Sequence, residues 1–241
     1  MSWLGHATVL LELGGVRLLT DPVLRARVAH LRRHGAAPEV PKGVDAVLLS
    51  HLHYDHLDLP SVRLLPSDVR VLAPAGAGAP LRPAGIRRVE ELVPGQVTEV
   101  RGIRVEATPA EHGERRRPLG ARATPIGFVV RWRHSVYFAG DTGMFPGMAD
   151  LAPVDVALLP VAGWGPKLGP GHMDARNAAQ AAALLRPAIA VPIHWGTLHP
   201  RGRRRGAWFD EPPHDFAARV ADLAPEVDVR ILEPGGAALE L

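Results

Sequence analysis

Apolar positions along the 241-residue chain fall mostly in short β-favouring runs, with glycine, proline or charge between them. Residues 7–13 and 16–20 form the first pair, and Gly14-Gly15 between them permits the positive φ of a tight hairpin turn. Residues 25–43, rich in Arg, Gly and Pro, predict a loop with a short helical piece. The run 46–49 predicts a buried strand, and Asp58-Leu59-Pro60 a short helix that Pro66 closes. Short strands are expected at 70–73, 86–89 and 97–100, with turns over 74–80. Arg101-Gly102 signals a second hairpin, leading into 103–107, and Arg133-His134 a third, between 127–132 and 135–139.

In the second half the period changes. Residues 154–161 are an almost wholly apolar strand, whereas 175–185 carry alanine and leucine at helical spacing, with Asp174 as cap and Pro187 just beyond. A strand is expected at 188–193, a helix at 216–223, and final strands at 227–232 and 237–241. Residues 113–125, 162–172 and 199–213 read as loops. Early hairpins followed by strand–helix alternation predict an α/β architecture, with two mixed sheets face to face and helices outside. No linker splits the chain, so one domain over 1–241 is expected.

Composition narrows the classes. A hydrophobic content of 46% and a charged content of 22% are ordinary for a globular protein, and no apolar run is long enough to span a bilayer. The start has no basic region followed by a long apolar core, so no secretory signal is expected and the cytoplasm is the expected location. Cysteine is absent, which removes disulfides, thiolate ligands and a cysteine nucleophile and leaves imidazole and carboxylate as the strong metal ligands. The net charge is +3, and all basic residues but Lys42 and Lys167 are arginine. Abundant Ala, Gly and Pro explain that bias more simply than a nucleic-acid partner, which is not expected.

The chemistry concentrates in Ser50-His51-Leu52-His53-Tyr54-Asp55-His56, directly after the strand 46–49. His51 and His53 point the same way on extended chain, and a turn is needed to aim Asp55 and His56 at a neighbouring point. The spacing suits two adjacent metals, one taking His51 and His53, the other Asp55 and His56. His112, Asp141 and His194 each follow a separate predicted strand, where side chains from different strands can converge. Five imidazoles and two carboxylates are about what two cations sharing a bridging carboxylate and water require.

Residues 50–56 resemble the signature of the metallo-β-lactamase superfamily, and His112, Asp141 and His194 match its downstream ligand positions in order and context. The likeness extends through Trp3-Leu4-Gly5-His6-Ala7-Thr8, Thr20-Asp21-Pro22, Gly140-Asp141-Thr142-Gly143, His172-Met173-Asp174 and Pro192-Ile193-His194-Trp195-Gly196-Thr197. These stretches resemble the branch containing N-acyl-phosphatidylethanolamine phospholipase D and ascorbate-6-phosphate lactonase. The resemblance implies a four-layer αββα sandwich and two divalent ions, zinc first, with manganese or iron as alternatives. It implies His51, His53 and His112 on one ion, Asp55, His56 and His194 on the other, and Asp141 bridging.

Such a pair of cations makes hydroxide available at neutral pH to attack a phosphodiester or a lactone or ester carbonyl. The expected partner is thus a small-molecule or lipid-like anionic substrate. The catalytic candidates are Asp55 and, as proton donor to the leaving group, His172. His6 and Asp21 are candidates for orienting the ligand imidazoles. Trp195 and Trp164 are candidates for the pocket wall, and the arginine runs 115–117 and 203–205, Arg203 included, for attracting an anion. Competing readings are a ribonuclease of the same superfamily, a redox di-iron protein and a non-catalytic metal-binding regulatory module. His53 stands where the di-iron relatives carry Glu, the ribonuclease would need an RNA-gripping insertion, and the non-catalytic module would need a lost ligand.

Overall fold

The computed structural model describes residues 1–115 and 120–240, whose strands form two large sheets and one small one. The chain opens with β1 (Ser2–Gly5), β2 (Thr8–Leu13) and β3 (Val16–Thr20). These pair antiparallel, with Leu13 opposite Val16 across the Gly14-Gly15 turn. Next come a small hairpin, β4 (Arg27–Val28) and β5 (Leu31–Arg33), then β6 (Ala46–Leu48), α1 (Leu59–Val62), β7 (Arg70–Pro74), α2 (Gly78–Leu81) and β8 (Val89–Leu92). Strands β6, β7 and β8 add parallel to β3 and complete the first sheet in the order β1-β2-β3-β6-β7-β8.

The second sheet begins as a meander of β9 (Val97–Val100), β10 (Ile103–Pro109), β11 (Ile126–Arg131) and β12 (Ser135–Phe138). It continues in parallel through β13 (Val156–Pro160), and after α3 (Ala175–Leu185) through β14 (Ile189–Ile193). Then follow β15 (Leu198–Pro200), α4 (Ala207–Asp210), α5 (Pro212–Leu223) and β16 (Asp228–Val229), the last pairing with β14.

Side-chain alternation explains the layering. In β2, Val9, Leu11 and Leu13 face a core shared with Val105, Phe128, Val130 and Leu158 of the second sheet, while Leu10 turns the other way. Leu10 joins Leu19, Val47 and Val71 in a second cluster with Val62 of α1 and Leu81 of α2. On the far face of the second sheet, Ala178 and Ala182 of α3 pack with Phe216 and Val220 of α5. This is the helix–sheet–sheet–helix order expected from the sequence. No helix among the described residues is long and apolar enough to cross a membrane.

Several expectations need correction. Residues 25–43 hold no helix; they carry the β4–β5 hairpin, which pairs with β15 in the small third sheet. Helix α2 lies where turns were expected, and the strand placed at 86–89 starts only at Val89. Helix α5 begins at Pro212, because proline is tolerated in a first turn. The segment 227–232 supplies only the two-residue β16, and no strand follows it among the described residues. Its tail is instead tied to the first strand by bonds from Gly235 N to Trp3 O (2.7 Å) and from Leu239 N to Met1 O (2.8 Å).

Candidate metal centre

The two sheets bring different residues to one edge of the sandwich. From the first sheet come His6 after β1, Asp21 after β3, and His51, His53, Asp55 and His56 after β6. From the second come His112 after β10, Asp141 after β12, His172 in the loop after β13, and His194 after β14. The turn needed by Asp55 and His56 is made: His56 N and Leu57 N both donate to His53 O, at 3.1 and 2.7 Å. Asp58 then caps α1 by accepting from Ser61 N. Gly140 lets Asp141 approach, since a Cβ there would lie 2.5 Å from the Ser50 Cβ and its φ is +62°. Gly171, at φ +74°, passes close to His112 and accepts from its Nδ1 at 2.6 Å.

Hydrogen bonds fix which nitrogen each ring offers. His112 Nδ1 donates to Gly171 O, His194 Nδ1 to Ala162 O at 2.8 Å, and His56 Nδ1 to Asp21 Oδ2 at 2.6 Å. Ser50 Oγ gives its proton to Asp21, and so accepts from His51 Nδ1 at 2.9 Å. Each Nε2 of these rings is then a bare lone pair in the neutral imidazole. These lone pairs converge: His112 Nε2 lies 2.8 Å and His51 Nε2 3.1 Å from His53 Nδ1, and His56 Nε2 lies 3.0 Å from His194 Nε2.

Asp141 lies between the two groups. Its Oδ2 is 3.1 Å from His56 Nε2 and 3.9 Å from His112 Nε2, and its Oδ1 is 3.1 Å from His194 Nε2. That Oδ1 is buried without a hydrogen-bond donor. Asp55 Oδ2 is 3.0 Å from His6 Nε2, 3.5 Å from His194 Nε2 and 3.6 Å from His56 Nε2. With the rings neutral, ring nitrogens and carboxylate oxygens packed this closely face one another as acceptors, so the residues present fit divalent cations. His51–His53–His112 and His6–Asp55–His56–His194 each bring their ligand atoms within 4.8 Å of one another.

The electrostatics agree. Burial alone would raise Asp55 and Asp141, yet His56 beside the first and His194 and His56 beside the second hold both carboxyls well below their usual range. Burial works against charge on His194 as well, but Asp141 and Asp55 outweigh it and lift the ring to about 9. His56 is raised in the same way by Asp141, Asp55 and Asp21. Burial pushes His6 down to about 3 and His112 to about 4. Without a metal the carboxylates keep protons on His56 and His194, and a cation displaces them.

A cleft of about 230 Å³ opens beside the cluster and is lined by His53, Asp55, Asp141 and His172. His172 Nε2 is 3.4 Å from Asp141 Oδ2, and its Nδ1 donates to Gly169 O at 3.1 Å. Of the two tryptophans expected at the wall, Trp164 lines this cleft. Trp195 does not: it is 7% exposed, its ring lies 5.1 Å from that of Trp3, and its Nε1 donates to Pro192 O. Burying that large ring against the sandwich core turns it away from the cluster. Arg203 is exposed and absent from the cleft lining, as is Arg115. Arg116 and Arg117 lie outside the described residues. Sequence reasoning missed His30, Leu31 and Lys167, which also line the cleft. They sit in segments without periodicity, so no pattern marked them.

Comparisons with known proteins follow the same line. Residues 16–195 match the family model described as a beta-lactamase superfamily domain. The chain is 33% identical over 244 residues to a UPF0173 metal-dependent hydrolase of Methanopyrus kandleri, covering 98% of this chain and 97% of that protein. In fold it is similar to Igni18, a metallo hydrolase of Ignicoccus hospitalis, with a TM-score of 0.75 and 24% identity, covering 100% of this chain and 97% of the other. It is also similar to an isothiocyanate hydrolase from Delia radicum gut bacteria, with a TM-score of 0.74, 21% identity and 99% and 98% coverage. The chain therefore belongs to the metallo-β-lactamase superfamily, as a metal-dependent hydrolase of the UPF0173 family.

Proposed function

We propose that this hydrolase cleaves a phosphodiester or a lactone or ester bond of a small anionic substrate, with two divalent ions side by side. One observation carries the reading: two sets of ring nitrogens converge with the buried Asp141 carboxylate between them. In this reading His51, His53 and His112 hold one ion, Asp55, His56 and His194 the other, and Asp141 both. Imidazole with carboxylate suits zinc, with manganese or iron as alternatives. Bound there, the ions lower the pKa of water and offset charge developing on a phosphoryl or carbonyl oxygen.

The chain's own residues supply the rest. Asp21 and Ser50 hold two imidazoles in the tautomer that presents Nε2. Asp55 contributes charge as well as a ligand oxygen, and His6 pins its Oδ2. His172 is the candidate proton donor. Burial lowers it, yet Asp141 raises it overall, and Gly169 O holds its Nδ1 so that Nε2 faces the cleft group.

Elemental analysis of the purified chain tests this, together with a screen of bis-p-nitrophenyl phosphate, lactones, thioesters, lipid phosphodiesters and isothiocyanates. The last class is included because one fold neighbour hydrolyses it. The expectation is about two metal equivalents per chain and metal-dependent turnover, with Asp141→Ala losing at least one equivalent. Unchanged stoichiometry in Asp141→Ala, or no metal-dependent turnover across the screen, would overturn the proposal.

A further inference from the structure

The cleft beside the cluster has side chains that the hydrolytic reading leaves unused. Trp164, Lys167 and Leu168 come from the glycine- and proline-rich loop after β13, and His30 comes from the β4–β5 turn. Large apolar groups are ordinarily withdrawn from water, yet Tyr54, Trp164 and Leu168, at 38%, 37% and 36% exposure, stand around this one mouth. His30 meets Trp164 edge-on with ring centroids 5.0 Å apart, which sets the indole as a wall.

Lys167 lines the same cleft. Lysine occurs at only two of the 28 basic positions, so a compact ammonium on a flexible stem here departs from the chain's own habit. It makes no salt bridge among the described residues. The carboxylates of the cleft, Asp55 and Asp141, are turned to imidazoles instead, at 3.0 Å from His6 and 3.1 Å from His194. The Arg203 run, the other cationic candidate after the cluster, does not line the cleft. An apolar rim beside the buried ligands, with a cation that pairs with no carboxylate among the described residues, fits a ligand that is part apolar and part anionic.

We infer that the substrate carries, beyond the bond that is cut, a planar apolar group lying on Trp164 and Leu168 and a carboxylate-like anion bound by Lys167. The inference rests on the hydrolytic reading above and names the substrate class of that site.

Matched aryl substrates differing only by a remote carboxylate test it. 4-Nitrophenyl phenyl phosphate is compared with its 4-carboxyphenyl counterpart, and 4-nitrophenyl benzoate with mono(4-nitrophenyl) terephthalate. The metal-loaded wild type should show a KM about tenfold lower for the carboxylate member, the size of one charged hydrogen bond. Lys167→Ala should erase that difference, Lys167→Arg should keep most of it, and Trp164→Ala should raise KM for both members. Equal KM values in the wild type, or a preference that survives Lys167→Ala, would overturn the inference. If no pair is hydrolysed, the hydrolytic reading is judged by the wider screen above, and terephthalate binding followed by tryptophan fluorescence still decides this point. Saturable binding weakened about tenfold in Lys167→Ala supports it, and equal binding in both proteins sinks it.

Discussion

A carboxylate outside the proposed ligand set governs how two of the imidazoles present themselves. Asp21 is fully buried, accepts from Ser50 N at 2.7 Å, and holds both the Ser50 hydroxyl and His56 Nδ1. It sits at φ +29°, and His6 and His194 also occupy the left-handed region, at +55° and +67°. Non-glycine residues adopt that conformation at a cost and only where surroundings impose it, and three of the six that do so among the described residues stand in this cluster. Asp21→Asn keeps the shape but cannot accept from both donors through one oxygen with the same charge. Metal affinity should fall about 10–100-fold, read by chelator competition, with secondary structure unchanged by circular dichroism. The motif 50–56 was legible because its residues are contiguous. His112, Asp141 and His194 were legible because each ends a strand run. Lys167 and His30 were not, since loop side chains gain meaning only once the fold sets two loops against each other.

At the scale of elements, the strands that alternate or run apolar were the readable ones, such as 16–20, 97–100 and 156–160. The β4–β5 hairpin was missed because its strands are two and three residues long and arginine-rich, and their pairing depends on the distant β15. Tertiary contact, not propensity, makes those strands. The end of β12 shows how tightly elements must fit for the site to form. Gly140 follows it after Ala139 and packs on Ser50, two residues past the end of β6 in the other sheet. Gly140→Ala combines a 2.5 Å clash with a φ of +62°, so it should destabilise by about 2–4 kcal/mol and displace Asp141. Urea denaturation and metal content check the two halves of that expectation, and a loss of stability with full metal retention would argue against the coupling.

For the whole molecule, charge at the cluster sets the pH range of the metal-free chain. His6 and His112 have folded values of about 3 and about 4, below the ordinary 6.5. Protons therefore bind the unfolded chain first, and their contribution is intact above about 6.5 and lost as pH falls toward those values. His194, raised to about 9, contributes below the ordinary value and loses that contribution as pH rises through about 9. Thermal melts of the chelated protein should thus fall off on both sides, while metal loading should abolish the alkaline decline, because cations then replace the protons. An alkaline decline identical with and without metal would contradict the assignment of His194.

The division of donors between the sheets bears on assembly. In the proposed arrangement His51 and His53 share an ion with His112, and Asp55 and His56 share one with His194, so each proposed set draws donors from both sheets. The seam between the halves must close before either proposed set is complete. Metal retention would then report that the two sheets have docked, because a misdocked chain would offer neither proposed set whole.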